Sequence, residues 1–202
     1  MNLKELGATY YTGNCHKWIC APKGSGFLWA RADLQPRVRP TVTSHGANSA
    51  RTDRGRYLLE FDWVGTDDPT AYLAVPSALE LLASLLPSGW PELRARNRAL
   101  ALEARTLLCA ELGIAPPSPD ELVGSMAAIP LPPSPRSDGA WPDPLTDELY
   151  EELRIEVPVF PFPAAPARIL RVSAQAYNTR EEYAYLAEAL VERADRRPGA
   201  GH

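Results

Sequence analysis

The sequence has few of the residues that build metal centres and disulfide frameworks. Its 202 residues include three cysteines and three histidines. Cys15, Cys20 and Cys109 form an odd set without paired spacing, which argues against a disulfide framework and for a reducing compartment, by default the cytoplasm. Cys15, His16 and Cys20 lie near one another, but no second Cys/His pair completes a tetrahedral site, so we expect no metal.

Long apolar runs and a strong charge of one sign are also missing. No apolar run approaches the roughly 20 residues of a membrane-spanning helix, and the first residues lack the apolar core of a signal peptide, so we expect no membrane partner. The net charge is −4 and the arginines are dispersed, which does not favour nucleic acid as a partner. A small-molecule substrate fits this composition better, and 45% apolar residues suffice for a substantial core.

One lysine lies between two runs with the pattern of short strands. Residues 8–12 and 26–30 predict these strands, and Lys17 is on the connection between them. Its aromatic and aliphatic neighbours in the sequence predict a desolvated side chain, which disfavours the ammonium and favours an amine able to form Schiff bases. His16 beside it can donate a hydrogen bond to an anion. From the residues alone, a purely structural His–Lys pair is the commoner case.

The chain from residue 58 to 86 predicts a change from an extended segment to a helix. Residues 58–64 partly alternate, and Asp68 followed by proline starts a helix that we expect to run to about Leu86 with a kink at Pro76. Gly65-Thr66 precedes that helix, and a helix N-terminus of this kind favours an anion such as phosphate. A simple helix start is the commoner use of these two residues.

The remainder predicts a helix, then strands alternating with helices, with a domain boundary near Trp90. We expect a helix from Pro91 to Gly113 because leucine and alanine recur there at helical spacing, and a Thr-x-x-Glu capping box at Thr179 to open the last helix. The other expected elements are strands at 125–131, 155–159 and 168–174 and a helix at 143–153.

Arg171 is unusual because it lies within an otherwise apolar strand. Alternation puts Ile169, Arg171 and Ser173 on one face and the apolar residues between them on the other. We expect this arginine to be buried, and a buried guanidinium needs an anion. The residues leave open whether that anion is a structural carboxylate or the carboxylate of a substrate.

Two of these stretches resemble segments of the class V aminotransferase family, particularly its isopenicillin N epimerase-like branch. The first is Asn-Cys-His-Lys-Trp at 14–18 followed by Ala-Pro-Lys-Gly-Ser-Gly-Phe-Leu-Trp at 21–29. The resemblance implies that Lys17 carries pyridoxal 5'-phosphate (PLP), with His16 and Asn14 as further cofactor contacts. It also implies that Gly65 and Thr66 reach the cofactor phosphate of a neighbouring subunit in a homodimer.

The second stretch is Leu-Arg-Val-Ser-Ala at 170–174 followed by Tyr-Asn-Thr at 177–179. It resembles the segment in which an arginine of this family holds the α-carboxylate of the amino acid, which assigns that role to Arg171. The implied fold is α/β, the C-terminal part of a fold type I PLP-dependent transferase. Residues 1–90 would be a remnant of the large cofactor domain and 91–202 the small C-terminal domain.

The resemblance implies an epimerase or aminotransferase that acts on an amino acid, with Lys17 moving the Cα proton. It also implies that the acidic partner of the cofactor ring, the ring that stacks on it and the upstream phosphate turn lie outside this chain, so we expect an incomplete site. One alternative is a carbon–sulfur lyase of the cysteine desulfurase kind, which needs an exposed cysteine near the substrate, and Cys15 and Cys20 are near Lys17. Another is a non-catalytic fragment that pairs with a second polypeptide.

Overall fold

The computed structural model describes residues 2–134 and 142–195. The chain divides into two compact units, Met1–Ser84 and Leu85–His202. None of the described helices combines the length and the apolarity that crossing a bilayer requires. That the first unit is the remnant of a cofactor domain stays a prediction.

The first unit contains an antiparallel hairpin and short helices. Its strands are β1 (Tyr10–Asn14) and β2 (Gly26–Ala30), paired so that Tyr10 is opposite Ala30. The strand β2 has the predicted bounds, whereas β1 begins two residues later than expected. The helices are α1 (Leu3–Leu6), α2 (Arg56–Asp62), α3 (Thr70–Leu73) and α4 (Val75–Ser84).

Two glycines allow the strands of the hairpin to approach each other. A Cβ atom at Gly13 would lie 2.7 Å from Cε1 of Phe27, and one at Gly26 would lie 3.1 Å from the Gly13 carbonyl oxygen. The Phe27 ring stacks on Tyr11 with 5.8 Å between the ring centroids. The Thr12 hydroxyl donates a hydrogen bond of 2.8 Å to the Phe27 carbonyl. These glycines therefore have a packing role within the hairpin itself.

The prediction that the segment at 58–64 is extended is wrong, because most of this segment belongs to α2. Contacts between residues four apart explain the helix: Arg56 Nε donates to Glu60 Oε1 at 2.8 Å, and the Tyr57 and Phe61 rings lie 4.8 Å apart. Helical spacing also buries Tyr57 and Glu60 on one side. The next predicted helix is broken, since α3 ends at Leu73 and Pro76 lies in the first turn of α4, where proline costs no hydrogen bond.

The second unit packs helices on a three-stranded antiparallel sheet of order β3-β5-β4. The helices predicted from Pro91 and from Pro144 are both present. The strand expected at 155–159 begins only at its last residue, Val159, and continues to Pro161. The elements are α5 (Trp90–Glu111), β3 (Met126–Leu131), α6 (Pro144–Leu153), β4 (Val159–Pro161), β5 (Arg168–Ser173) and α7 (Arg180–Asp195).

The main core of the described residues lies in this second unit. The inward face of β5, with Leu170 and Val172, packs with Ile129 of β3 and with residues of α5 and α7, and all three side chains are at most 1% exposed. Where α6 begins, the buried Asp143 caps its N-terminus by accepting from Leu145 N at 3.0 Å. The same carboxylate oxygen accepts from Arg168 at 2.9 Å, which ties the start of α6 to the start of β5.

Candidate functional site

Lys17 lies on a hydrogen-bonded turn that follows β1. The turn is fastened by backbone hydrogen bonds from Cys15 N to the Ser25 carbonyl (3.0 Å), from Ala21 N to the Cys15 carbonyl (3.1 Å) and from Cys20 N to the Lys17 carbonyl (3.0 Å). The Lys17 side chain is exposed, and no described residue forms an ion pair or hydrogen bond with its amine.

The expectation that apolar neighbours desolvate Lys17 is therefore wrong. The side chains of Tyr10, Phe27 and Leu28 are themselves between 40% and 50% exposed, because the hairpin has two strands and few residues to cover them. As a result, the amine of Lys17 is accessible from solvent rather than enclosed.

The His16 ring is fixed against the hairpin by one of its nitrogens. Nδ1 lies 2.9 Å from the Ser25 carbonyl oxygen, and because a carbonyl only accepts, Nδ1 carries the hydrogen. In the neutral ring Nε2 is then an acceptor. His16 can consequently donate to an anion, as the sequence suggested, only when both nitrogens are protonated.

The other residues predicted to contact a cofactor occupy two places in the first unit. Asn14 is the last residue of β1 and is exposed beside the Lys17 turn. Gly65, with φ of +120°, and the exposed Thr66 lie in the loop between α2 and α3. The helix that follows them has only four residues, so its dipole is far weaker than that of the long helix expected there.

In that loop, the Asp68 carboxylate lies just before Pro69, the N-cap residue of α3, and bonds to the first residue of the helix. Its Oδ1 accepts a hydrogen bond of 2.9 Å from Thr70 N, and this bond holds the pKa of Asp68 below its usual range. The aspartate cap predicted from the sequence is wrong, because the N-cap residue of this four-residue helix is Pro69 and has no side-chain cap bond.

Arg171 lies on the uncovered face of β5, with Ser173, while Leu170 and Val172 point into the core. The predicted alternation is confirmed, but the expected burial is wrong, because the Arg171 side chain is exposed. No described carboxylate pairs with its guanidinium. Within the described residues, the structural partner that the sequence left open is thus absent.

Arg171 opens onto a cavity of about 280 Å³ within the second unit. Residues 154–158, between α6 and β4, form one wall. Asn178, Glu182 and Tyr183, from the start of α7 and the loop before it, form another. A cation with no carboxylate partner among the described residues therefore faces a space large enough for a small organic molecule.

Hydrogen bonds hold the cavity wall beside Arg171, and the sequence predicted only some of them. Glu182 Oε2 accepts from Thr179 N at 3.0 Å, which is one half of the predicted capping box, and from Asn178 Nδ2 at 3.1 Å. The spacing of four residues between Asn178 and Glu182 is the signal that could have predicted the second contact. Tyr183 donates from its hydroxyl to the Ser173 carbonyl at 2.7 Å, and burial raises the pKa of Tyr183 to about 12.

Comparison with known proteins identifies relatives of this chain. No family model matches the chain. It is 37% identical to isopenicillin N epimerase of Amycolatopsis lactamdurans over 203 residues, an alignment that covers 95% of this chain and 48% of the epimerase. This similarity is consistent with the C-terminal portion of a class V aminotransferase fold.

A second relative is a probable chloroplastic L-cysteine desulfhydrase of Arabidopsis thaliana, 32% identical over 94% of the chain and 41% of that protein. The chain thus spans about half the length of the curated relatives it matches. A solved structure of the cystine C–S lyase C-DES, a variant with glycine covalently linked to its PLP cofactor, has the same fold. It matches with a TM-score of 0.66 and 20% identity, over 95% of this chain and 48% of C-DES. The predicted fold, the C-terminal part of a fold type I PLP-dependent enzyme, is confirmed.

Proposed function

We propose that this chain is the C-terminal part of a PLP-dependent class V enzyme that acts on an amino acid as an epimerase or aminotransferase. The observation that supports this most is the exposed amine of Lys17, which no described residue pairs with, on a hydrogen-bonded turn of a chain 37% identical to an isopenicillin N epimerase. A cytoplasmic location is part of the proposal and agrees with three free cysteines.

Lys17 fits the attachment of PLP because its amine has no protein partner among the described residues and is open to an aldehyde. When bound, PLP draws electrons away from the Cα atom of an attached amino acid, which makes its proton removable. Lys17 in this proposal holds the cofactor and then accepts and returns that proton. The backbone bonds of the turn limit where its side chain can reach.

The remaining assignments follow from the chemistry of each side chain. The planar guanidinium of Arg171 matches a carboxylate in two parallel hydrogen bonds, so we assign it to the substrate carboxylate. His16 and Asn14, beside Lys17, are assigned to the cofactor. Gly65 and Thr66 are assigned to a phosphate, which the exposed Thr66 hydroxyl can contact, in a homodimer.

Covalent capture of PLP by Lys17 tests the proposal. The purified chain is mixed with PLP, reduced with borohydride and digested, and the PLP mass is located by mass spectrometry. We expect PLP on the peptide that contains Lys17, and no such mass in Lys17→Ala. Lys23→Ala is the matched control, because Lys23 is an exposed lysine of the same hairpin connection. Equal labelling of Lys17 and Lys23 would show that the attachment is nonspecific and contradict the proposal.

Carbon–sulfur cleavage is a second candidate, favoured by the 32% identity to a probable cysteine desulfhydrase. Cys15 is 4% exposed, whereas Cys20 is exposed and its backbone N–H bonds to Lys17. If this candidate is correct, the PLP-loaded protein releases sulfide from L-cysteine. Exchange of the Cα proton of an amino acid with deuterium, without sulfide release, would favour the epimerase or aminotransferase instead.

A further inference from the structure

Asn178 is a polar side chain of the cavity that has no assigned role. It lines the cavity together with Arg171 and is half-buried. Its orientation is determined at both ends of the amide. Oδ1 accepts from Gln175 N at 3.0 Å, and Nδ2 donates to Glu182 Oε2 at 3.1 Å. The identities of the oxygen and the nitrogen are thereby set by a donor on one side and a carboxylate on the other.

The support of Asn178 extends into the core. Gln175, which holds Asn178 through its backbone N–H, is 6% exposed, and its Oε1 accepts from Asn97 Nδ2 of α5 at 2.8 Å. The same Oε1 accepts from Ala176 N at 2.9 Å. The loop that carries Asn178 is therefore attached to a buried residue of a 22-residue helix. Such attachment favours a fixed rather than an adaptable side chain.

One hydrogen of the Asn178 amide remains available. A primary amide has two N–H donors, and only the one to Glu182 has a partner among the described residues. Glu182 is itself engaged, since its Oε2 also accepts from Thr179 N. The cavity thus contains a guanidinium without a carboxylate partner, and one N–H of an oriented amide without an acceptor, in the part of the chain that the structure describes. Both are donors suited to an oxyanion, and a carboxylate held by two guanidinium hydrogen bonds retains lone pairs for a third donor.

We propose that Asn178 donates its second N–H to the carboxylate that Arg171 binds, and that Glu182 is a positioning residue that keeps the Asn178 nitrogen on the cavity side. This inference rests on the proposed role of Arg171 and adds a second donor to it. A carboxylate bound by two donors on different elements has one orientation, whereas a carboxylate on a single exposed arginine can rotate. Asn178 is accordingly a residue that orients the substrate.

The test is a titration of the full ¹⁵N-labelled chain with propionate, followed by NMR at the Arg171 Nε–H and the Asn178 side-chain amide. We expect both signals to shift with the same dissociation constant. Asn178→Ala should raise that constant about tenfold, the loss of one hydrogen bond to a charged group. In Glu182→Ala the two Asn178 N–H signals should move toward each other and propionate binding should weaken. Glu181→Ala is the matched control, a glutamate of the same helical turn that does not line the cavity.

The outcomes separate this inference from the role of Arg171. If Arg171 responds to propionate and Asn178→Ala binds it as tightly as the unchanged chain, the donor role of Asn178 is wrong and that of Arg171 stands. If Arg171 itself does not respond, both assignments are wrong. If Glu181→Ala weakens binding as much as Glu182→Ala, the effect comes from the helix end, and the positioning role of Glu182 is overturned.

Discussion

Asp143 is the residue whose replacement we expect to destabilise the second unit most. Its buried carboxylate both caps α6 and pairs with Arg168, whose side chain is 14% exposed. Asp143→Ala leaves a nearly buried guanidinium without its anion, and we expect it to lower the free energy of unfolding by about 3 kcal/mol. Denaturant unfolding followed by circular dichroism measures this. The exposed pair Arg51–Asp53 is the control, and Asp53→Ala should change the same free energy little. Similar losses in both variants would contradict the prediction.

Individual residues also show what the sequence could and could not predict. The motif around Lys17 predicted that this lysine lies between two strands, and it indicated the family that the chain resembles. The motif did not predict that the Lys17 side chain is exposed. Whether neighbours in the sequence cover a side chain depends on what packs over the hairpin. Arg171 is the same case, since strand alternation predicted its face but not that the face is open. The exposure of a side chain depends on tertiary contacts, and the local sequence pattern contains little information about those contacts.

Helix α7 and strand β5 are joined at Tyr183, and this contact predicts a pH dependence. The hydroxyl donates to the Ser173 carbonyl, and the pKa of Tyr183 is raised to about 12 from about 10 in an unfolded chain. Because the folded state holds the proton more tightly, the stabilisation is complete below pH 10 and is lost as the pH rises toward 12. Tyr183→Phe should lower stability at pH 7 by about 1 kcal/mol and lack this alkaline loss. Unfolding curves from pH 7 to 12 measure both effects.

Tyr72→Phe serves as the control for Tyr183, because Tyr72 is 49% exposed and does not contribute to the pKa of Tyr183. It should keep the alkaline loss of the unchanged chain. An alkaline loss that persists in Tyr183→Phe would show that other groups cause it.

Among the elements, capped helices were predicted best. The N-terminal proline and aspartate of α6 and the proline of α5 defined their starts from local chemistry alone. The segment of α2 was misjudged because its partly alternating sequence fits a strand, and the contacts that favour the helix, Arg56–Glu60 and Tyr57–Phe61, are equally compatible with the sequence. The late start of β4 at Val159 could not be predicted either, since β5 continues past Leu170, the partner of Val159, to Ser173.

Across the whole molecule, burial is uneven, and we expect stability to be uneven with it. The connected apolar core lies entirely in the second unit, whereas the hairpin of the first unit has exposed aromatic and aliphatic side chains on both strands. Amides of β5 should therefore exchange with deuterium far more slowly than those of β1 and β2. Hydrogen exchange read by mass spectrometry tests this. Equal protection of β2 and β5 would mean that the hairpin is stabilised by contacts beyond those described.

The order β3-β5-β4 also governs when this sheet can form during synthesis. The middle strand is made last, since β5 begins at Arg168 and the two strands that it joins precede it. Until the ribosome has released that segment, β3 and β4 have no neighbour in the sheet, and α5 has only part of its packing surface. The second unit should consequently remain unassembled on the ribosome until nearly all of its chain has emerged, and then fold in a single late step.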